Sequence, residues 1–298
     1  MAAAPPPLEP HAAHLAQVQS IYDARSTQYD SNSVHARQAH DYVSAWTDLK
    51  PGDAVLDLAC GTGLVALGAK RLVGASGHVV GVDISEGMLE VARRNGEAEG
   101  LQVKFMQGDI SELRRGDLGV PRTGDDGLFD AITCASALLL LPDPVAALHS
   151  WKALLRPLSG RVVTDVQTKD ANLVMNIFAA IAPQLLRQGH AVSVPWDASR
   201  WKSLADLEQV VLNAGLKIER AFETPPYAVT RYDDATNACG EELFRNAVEK
   251  SPMFEGFGRL AVRDQAERLF VQKYLELLGD TGAFVEECRF WVVVASSA

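Results

Sequence analysis

The sequence predicts an α/β protein built on a largely parallel sheet with helices on both faces, and three observations predict it. Short apolar runs alternate with helical patterns between residues 54 and 166, as repeated strand–helix–strand units require. The run Val55-Leu56-Asp57-Leu58 passes into Ala59-Cys60-Gly61-Thr62-Gly63, and a helical pattern begins at Leu64. Glycines at 61 and 63 let the backbone bend sharply and approach a ligand, and a helix starting there aims unpaired N–H groups at it. A second acid, Asp83, ends the next apolar run, where it can accept hydrogen bonds from paired ribose hydroxyls.

Two ligand classes fit this turn. Gly61-Thr62-Gly63-Leu64-Val65-Ala66 matches the loose dinucleotide pattern G-x-G-x-x-G/A, with Asp83 about 20 residues on. Asp57 at the end of the first strand argues against a dinucleotide. Its charge would face a pyrophosphate, and two unit charges about 5 Å apart at an effective dielectric of ~20 repel by roughly 3 kcal/mol. S-adenosylmethionine reverses the sign: its ammonium and sulfonium suit the acid, and its carboxylate suits the helix N-terminus.

Taken in order, residues 1–12 are Ala- and Pro-rich and are expected to form a disordered tail. A polar helical arm follows to about Trp46, broken near Asp30-Ser31-Asn32-Ser33. Strands are expected at Ala54 to Leu58, His78 to Val82, Val103 to Gln107, Phe129 to Ala135 and Arg161 to Val166. Helices are expected at Leu64 to Leu72, Ser85 to Glu99 and Pro144 to Leu155, and a structureless loop at Arg114 to Gly127. Residues 171–200 exceed what one crossover needs, and so read as a cap over a second site. Ser203 to Ala214 reads as a helix stopped by Gly215, and Leu216 to Phe222 and Ala283 to Ala295 as the last two strands. Between those strands, Asp233 to Leu278 is helical and amphipathic, suited to a cap or to the face of a homodimer.

The residues Val55 to Gly63, Val79 to Leu89, Gly108-Asp109-Ile110, Phe129 to Ala135 and Leu141-Pro142-Asp143-Pro144 resemble, in order, the motifs of class I S-adenosylmethionine-dependent methyltransferases. Within that class the sequence is similar to the ubiquinone and menaquinone biosynthesis group. The resemblance covers residues 15–170 well and the rest loosely. It implies a Rossmann-like, seven-stranded, mostly parallel sheet whose last strand is antiparallel. It also implies one methyltransferase domain at 13–298, with a lid at 13–50, a cofactor-binding core at 51–170 and cap elements at 171–200 and 233–278.

Carried over residue by residue, the resemblance implies cofactor contacts from Asp57, Ala59, Gly61, Thr62 and Gly63, with Ala59 standing where glycine is more usual. Asp83 would hold the ribose, next to Ile84, while Met88 reads equally as core or as a wall against adenine. Asp109 would accept from the adenine amino group, with the Ile110 backbone serving the ring. Tyr29 would reach over from the arm, and Ala135 would contribute its backbone. Leu139 and Leu140 occupy positions where relatives often place two histidines, which removes the obvious general base and makes the pocket floor apolar. His35, His190 and Asp165 remain as conceivable bases, and no catalytic residue can be assigned.

Composition closes off other classes. Lys and Arg total 28 against 38 Asp and Glu, a net charge of −10 that disfavours a nucleic-acid partner. The longest apolar run, Ala131 to Leu141, is too short to span a bilayer, and a cytoplasmic protein is expected. The four cysteines form no C-x-x-C pair, so no metal site is expected. The function expected is methyl transfer, with formation of S-adenosylhomocysteine, to oxygen, carbon or nitrogen of an apolar or aromatic small molecule. The alternatives are a rearrangement or cyclisation that uses the bound cofactor without transfer, and a binding protein with a degenerate pocket.

Overall fold

In the computed structural model, which describes residues 10–31, 33–118, 128–197 and 199–297, β1 (Ala54–Leu58) is a central strand of a seven-stranded sheet. The first nine residues of the expected tail and residues 119–127 of the expected loop lie outside the described residues; residues 10–12, expected in the tail, are instead the start of the first helix, and residues 115–118 form a single helical turn. The strand order is β3-β2-β1-β4-β5-β9-β6, with β2 at His78–Asp83, β3 at Lys104–Gln107, β4 at Ala131–Cys134, β5 at Arg161–Gln167, β6 at Leu216–Glu223 and β9 at Phe290–Ser297. The first five strands in chain order run parallel, and β9 lies antiparallel between β5 and β6. Strand order reverses between β1 and β4, so their carboxyl ends open the crevice in which such sheets bind ligands.

Local chemistry explains the helix starts. Ser85 caps α4 (Glu86–Glu99) by accepting from the Met88 N–H, and Asp143 caps α5 (Pro144–Lys152), with Pro144 in its first turn. Ahead of α7 (Leu204–Asn213), Ser203 and Asp206 close a reciprocal capping box. Gly63, at φ 87°, begins α3 (Leu64–Val73); an added Cβ would lie 3.1 Å from Phe105 Cζ and 3.2 Å from Ala92 Cβ. That glycine lets the helix pack against α4 and β3.

The chain after Leu216 departs from expectation. Residues 283–295 do not form one strand. β8 (Phe284–Cys288) leaves the main sheet to pair with β7 (Ala228–Tyr232), and only after Arg289 does β9 begin. The reason is composition: β9 is buried along almost its whole length and its core reads Phe-Trp-Val-Val-Val-Ala, whereas β8 carries Glu286 and Glu287 and suits a two-stranded, half-solvated ribbon.

The amino-terminal arm comprises α1 (Pro10–Arg25), a short helical turn, and α2 (Ser33–Asp41), which continues into a π-helical turn at Tyr42–Trp46. It is fastened to the loops after β1 and β2: Asp23 accepts from the Ser85 hydroxyl at 2.5 Å and the Gly87 N–H at 3.0 Å, and Asp30 accepts from the Thr62 hydroxyl at 2.5 Å. A second hydrophobic core lies outside the sheet. It joins α6 (Leu173–Arg187), α8 (Asn237–Lys250) and α9 (Arg263–Leu278) around Phe178, which stacks on Phe254 at 4.2 Å and touches Phe257 and Phe270. Ile21 of the arm belongs to this same core, so arm and cap enclose the crevice together.

Candidate active site

Three cavities meet at the ends of β1 and β4. The first runs from the turn after β1 past Asp83, Ile84 and Met88 to Asp109 and Ile110, and is roofed by His14, Leu15, Val18, Tyr22 and Tyr29 of the arm. The second is a side chamber around Asp57, Thr62, His35 and Gln38. The third, ≈ 300 Å³, lies between sheet, arm and cap, and Arg25, His35, Met175, Trp196 and Glu286 help to line it. Tyr29 and Ser136 line all three, so ligands in the first and third would face each other there.

The structure brings most of the sequence-named residues together. Tyr29, Ala59, Gly61, Asp83, Ile84, Met88, Asp109, Ile110 and Ala135 line the first cavity, and Asp57 and Thr62 the second. Gly63 lines neither, and serves helix packing as described. Gly61 has φ 54°, and a Cβ there would meet nothing within 4 Å, because it would project into the cavity. Ala59 holds a left-handed φ of 52°, a conformation that glycine adopts without strain. Leu140 lines the first and third cavities and Leu139 the third, making an apolar partition between them.

Three buried carboxylates differ in what surrounds them. Asp165 is enclosed: it accepts from the Tyr42 hydroxyl, from the Ser136 N–H at 3.0 Å and from Gln38 at 3.1 Å, and burial raises its pKa to about 6. It is a strut that ties the arm to β5, with no face toward a cavity. Asp83 accepts from the Ser85 and Gly61 N–H groups at 2.9 and 2.8 Å, one on each oxygen, and burial raises its pKa to about 6. Asp83 lines the first cavity, where its carboxylate keeps accepting capacity beyond these N–H groups.

Asp57 is 1 % exposed; burial lifts its pKa to about 7, against the opposing pull of the Thr133 hydroxyl and the Ala66 N–H. Oδ1 accepts from Thr133 at 2.7 Å, but Oδ2 is buried with no hydrogen-bond partner among the described residues. An unpartnered buried carboxylate oxygen is costly, and a donor from a ligand in the adjoining cavity would satisfy it, most strongly a charged one.

Asp109 differs from the sequence picture in one respect. Its Oδ1 accepts from the Ser111 N–H and hydroxyl at 2.9 and 2.7 Å, and Oδ2 lies 2.9 Å from His11 Nε2 on the arm. Burial alone would raise its pKa, but the Ser111 and His11 contacts hold it below the usual value. The carboxylate thus anchors the arm over the first cavity as well as facing it.

Of the conceivable bases, His190 pairs with Gln265 at 2.9 Å inside the cap. His35 lines the second and third cavities and stacks on Tyr29 at 4.3 Å. Its Nδ1 lies 3.3 Å from the Tyr29 carbonyl, which can only accept; the proton of the neutral ring therefore sits on Nδ1 and Nε2 keeps its lone pair. Burial pushes its pKa below the usual value, which favours the neutral form. Ser136, Arg25 and Glu286 also line the site and were not foreseen. Ser136 was the legible one, since it follows Ala135 at the strand-order switch, whereas Arg25 and Glu286 come from the arm and from β8.

The site is thus a crevice at the strand-order switch point, lined by an open glycine turn and by buried acids at the ends of β1 and β2. Residues 49–204 match the family described as Methyltransferase domain, and the chain belongs to that family. It is 34 % identical over 153 residues to a demethylmenaquinone methyltransferase of Lactococcus lactis, covering 49 % of this chain and 57 % of that protein. It is 33 % identical over 175 residues to a ubiquinone biosynthesis O-methyltransferase of Alkalilimnicola ehrlichii, covering 56 % of this chain and 65 % of that protein. The chain thus spans less than two thirds of the length of these curated relatives. Among solved structures, the (4+2)-cyclase SpnF superposes with a TM-score of 0.55 at 18 % identity, covering 93 % of this chain and 94 % of that one, which shows a shared fold. No helix among the described residues is long and apolar enough to cross a membrane.

Proposed function

We propose that the protein transfers a methyl group from S-adenosylmethionine to an oxygen, carbon or nitrogen of an apolar or aromatic small molecule. The observation that carries this reading is the unpartnered Oδ2 of Asp57, beside a glycine turn that keeps a Cβ out of the cavity. Asp57 would hold the ammonium end of the cofactor, Asp83 its ribose, and the Ile84, Met88 and Ile110 walls its adenine. When bound, the sulfonium supplies an already activated methyl group.

The chain's own work is to position and to enclose. Tyr29 and Ser136 stand where donor and acceptor cavities join, and Leu139 and Leu140 keep that junction apolar. Holding two reactants in line accounts for ~7–11 kcal/mol of a barrier. For an acceptor that must lose a proton, His35, which lines the third cavity and keeps the Nε2 lone pair, would receive it, and a positioned base contributes typically about 10²- to 10⁴-fold. The names of the two relatives direct the first acceptors tried to quinols and phenols. Incubation with methyl-labelled cofactor and such a panel tests the reading. Label on an acceptor supports transfer. Conversion without label favours the rearrangement reading, for which the cyclase of similar fold is a precedent of shape alone.

A further inference from the structure

We propose that Arg25 is an anion-recognition residue of the third cavity, and that the acceptor bears a carboxylate which pairs with it. This rests on the reading above that the third cavity receives the acceptor. Arg25 ends α1, where the helix carbonyls favour a cation without neutralising it. Its guanidinium carbon lies 5.4 Å from the ring centroids of both Tyr22 and Tyr29, so two aromatic side chains hold the group at the cavity wall. The side chain is half-buried, and no carboxylate within 4.0 Å pairs with it among the described residues.

Its surroundings narrow the ligand. Glu286, the acid lining the same cavity, does not pair with Arg25: its Oε2 accepts from the Leu173 N–H at 2.6 Å, at the start of α6, and from the Tyr232 hydroxyl at 3.5 Å. Arg25, which also hydrogen-bonds the Tyr22 hydroxyl, is thus the guanidinium of this cavity with no carboxylate partner among the described residues. Apart from His35, no other basic side chain lines the cavity, which suits a monoanion better than a phosphate dianion. A planar guanidinium presents a fork that matches a carboxylate through two parallel hydrogen bonds. Arg25 does not line the first cavity, so the cofactor's own carboxylate is not its partner on this geometry. The apolar surfaces of Met175, Trp196 and Phe290 would then hold an aromatic or aliphatic body.

The test uses 4-hydroxycinnamate and its methyl ester, which share a ring and differ in charge. Each is titrated calorimetrically into wild type, Arg25→Gln and Arg25→Lys, with and without S-adenosylhomocysteine. Wild type is expected to bind the acid at least about ten-fold more tightly than the ester. Arg25→Gln should erase that preference, Arg25→Lys should restore part of it, and the affinity for S-adenosylhomocysteine should stay within about two-fold in both. The proposal is overturned if wild type binds acid and ester alike or binds neither. It is also overturned if the preference survives in Arg25→Gln, or if that variant loses S-adenosylhomocysteine instead. Failure of wild type to bind S-adenosylhomocysteine counts against the methyl-transfer reading alone, because the acid and ester comparison on the free protein still decides the role of Arg25.

Discussion

Replacing Asp57 by asparagine separates what the fold needs from what the ligand needs. Burial raises this carboxyl from 3.8 to about 7, so between those values the unfolded chain has released its proton while the folded chain holds it. Stability therefore falls as pH rises through that window, the reverse of a salt-bridged acid. At 1.36 kcal/mol per unit the full loss is about 4 kcal/mol, reached above pH ~7. Asparagine escapes this loss but leaves an amide N–H in the place of the unpartnered Oδ2, at about 1–3 kcal/mol. The ligand-free variant should thus be more stable than wild type at pH 8, by about 1–3 kcal/mol, and should lose that advantage at pH 5. Denaturant unfolding at the two pH values measures both.

The ligand reverses the order. A charge-assisted hydrogen bond contributes about 1.5–3 kcal/mol, so Asp57→Asn should weaken S-adenosylhomocysteine binding about 10- to 100-fold at pH 8. Wild-type affinity should also fall up to about ten-fold per unit as pH drops below ~7, because the acid must ionise to meet the ammonium. The variant should show no such slope. Unchanged affinity in Asp57→Asn at pH 8, or a slope that survives the substitution, would refute the argument.

Three further outcomes are expected. Ala59→Gly relieves a left-handed φ of 52° and should raise stability by about 0.5–1 kcal/mol after the unfolded-state entropy of glycine is counted, read as a rise in Tm. Gly61→Ala and Gly81→Ala should fail differently: the first puts a methyl into open cavity and loses cofactor affinity with a cost of about 1–2 kcal/mol in stability, whereas the second drives a Cβ to 2.7 Å from Phe105 and 2.9 Å from Cys60 and should lose about 1–3 kcal/mol by overpacking. His35→Asn should lower turnover of a phenolic acceptor about 10²- to 10⁴-fold, well beyond any change in cofactor affinity from its place beside the Asp57 chamber. Wild-type turnover should drop as pH falls through the depressed His35 pKa, a value set by burial, the Tyr29 carbonyl, Arg25 and Asp30.

What the sequence made legible was whatever is local. The turn after β1, the acids ending β2 and following β3, and the first five strands are each written in contiguous residues, so periodicity and punctuation place them even where they leave the ligand open. The second site is different. Its walls come from Arg25, His35, Trp196, Met253 and Glu286, scattered over more than 250 positions and joined only when arm and cap fold over the crevice. The carboxyl-terminal ribbon escaped notice because no glycine or proline interrupts residues 284–295, and a single position, Arg289, separates two strands that join different sheets. Asp165 shows the limit from the other side. In sequence it is an acid in an apolar strand just as Asp57 is, and only the Tyr42, Gln38 and Ser136 contacts reveal it as fully engaged.

The most direct measurement is a calorimetric titration of the wild-type protein at pH 8 with S-adenosylmethionine and, separately, with a nicotinamide dinucleotide. Saturable binding of the sulfonium compound and none of the dinucleotide is expected, because the unpartnered oxygen at the end of β1 favours a positive group and repels a pyrophosphate. Tight uptake of the dinucleotide with no binding of the sulfonium compound would contradict it.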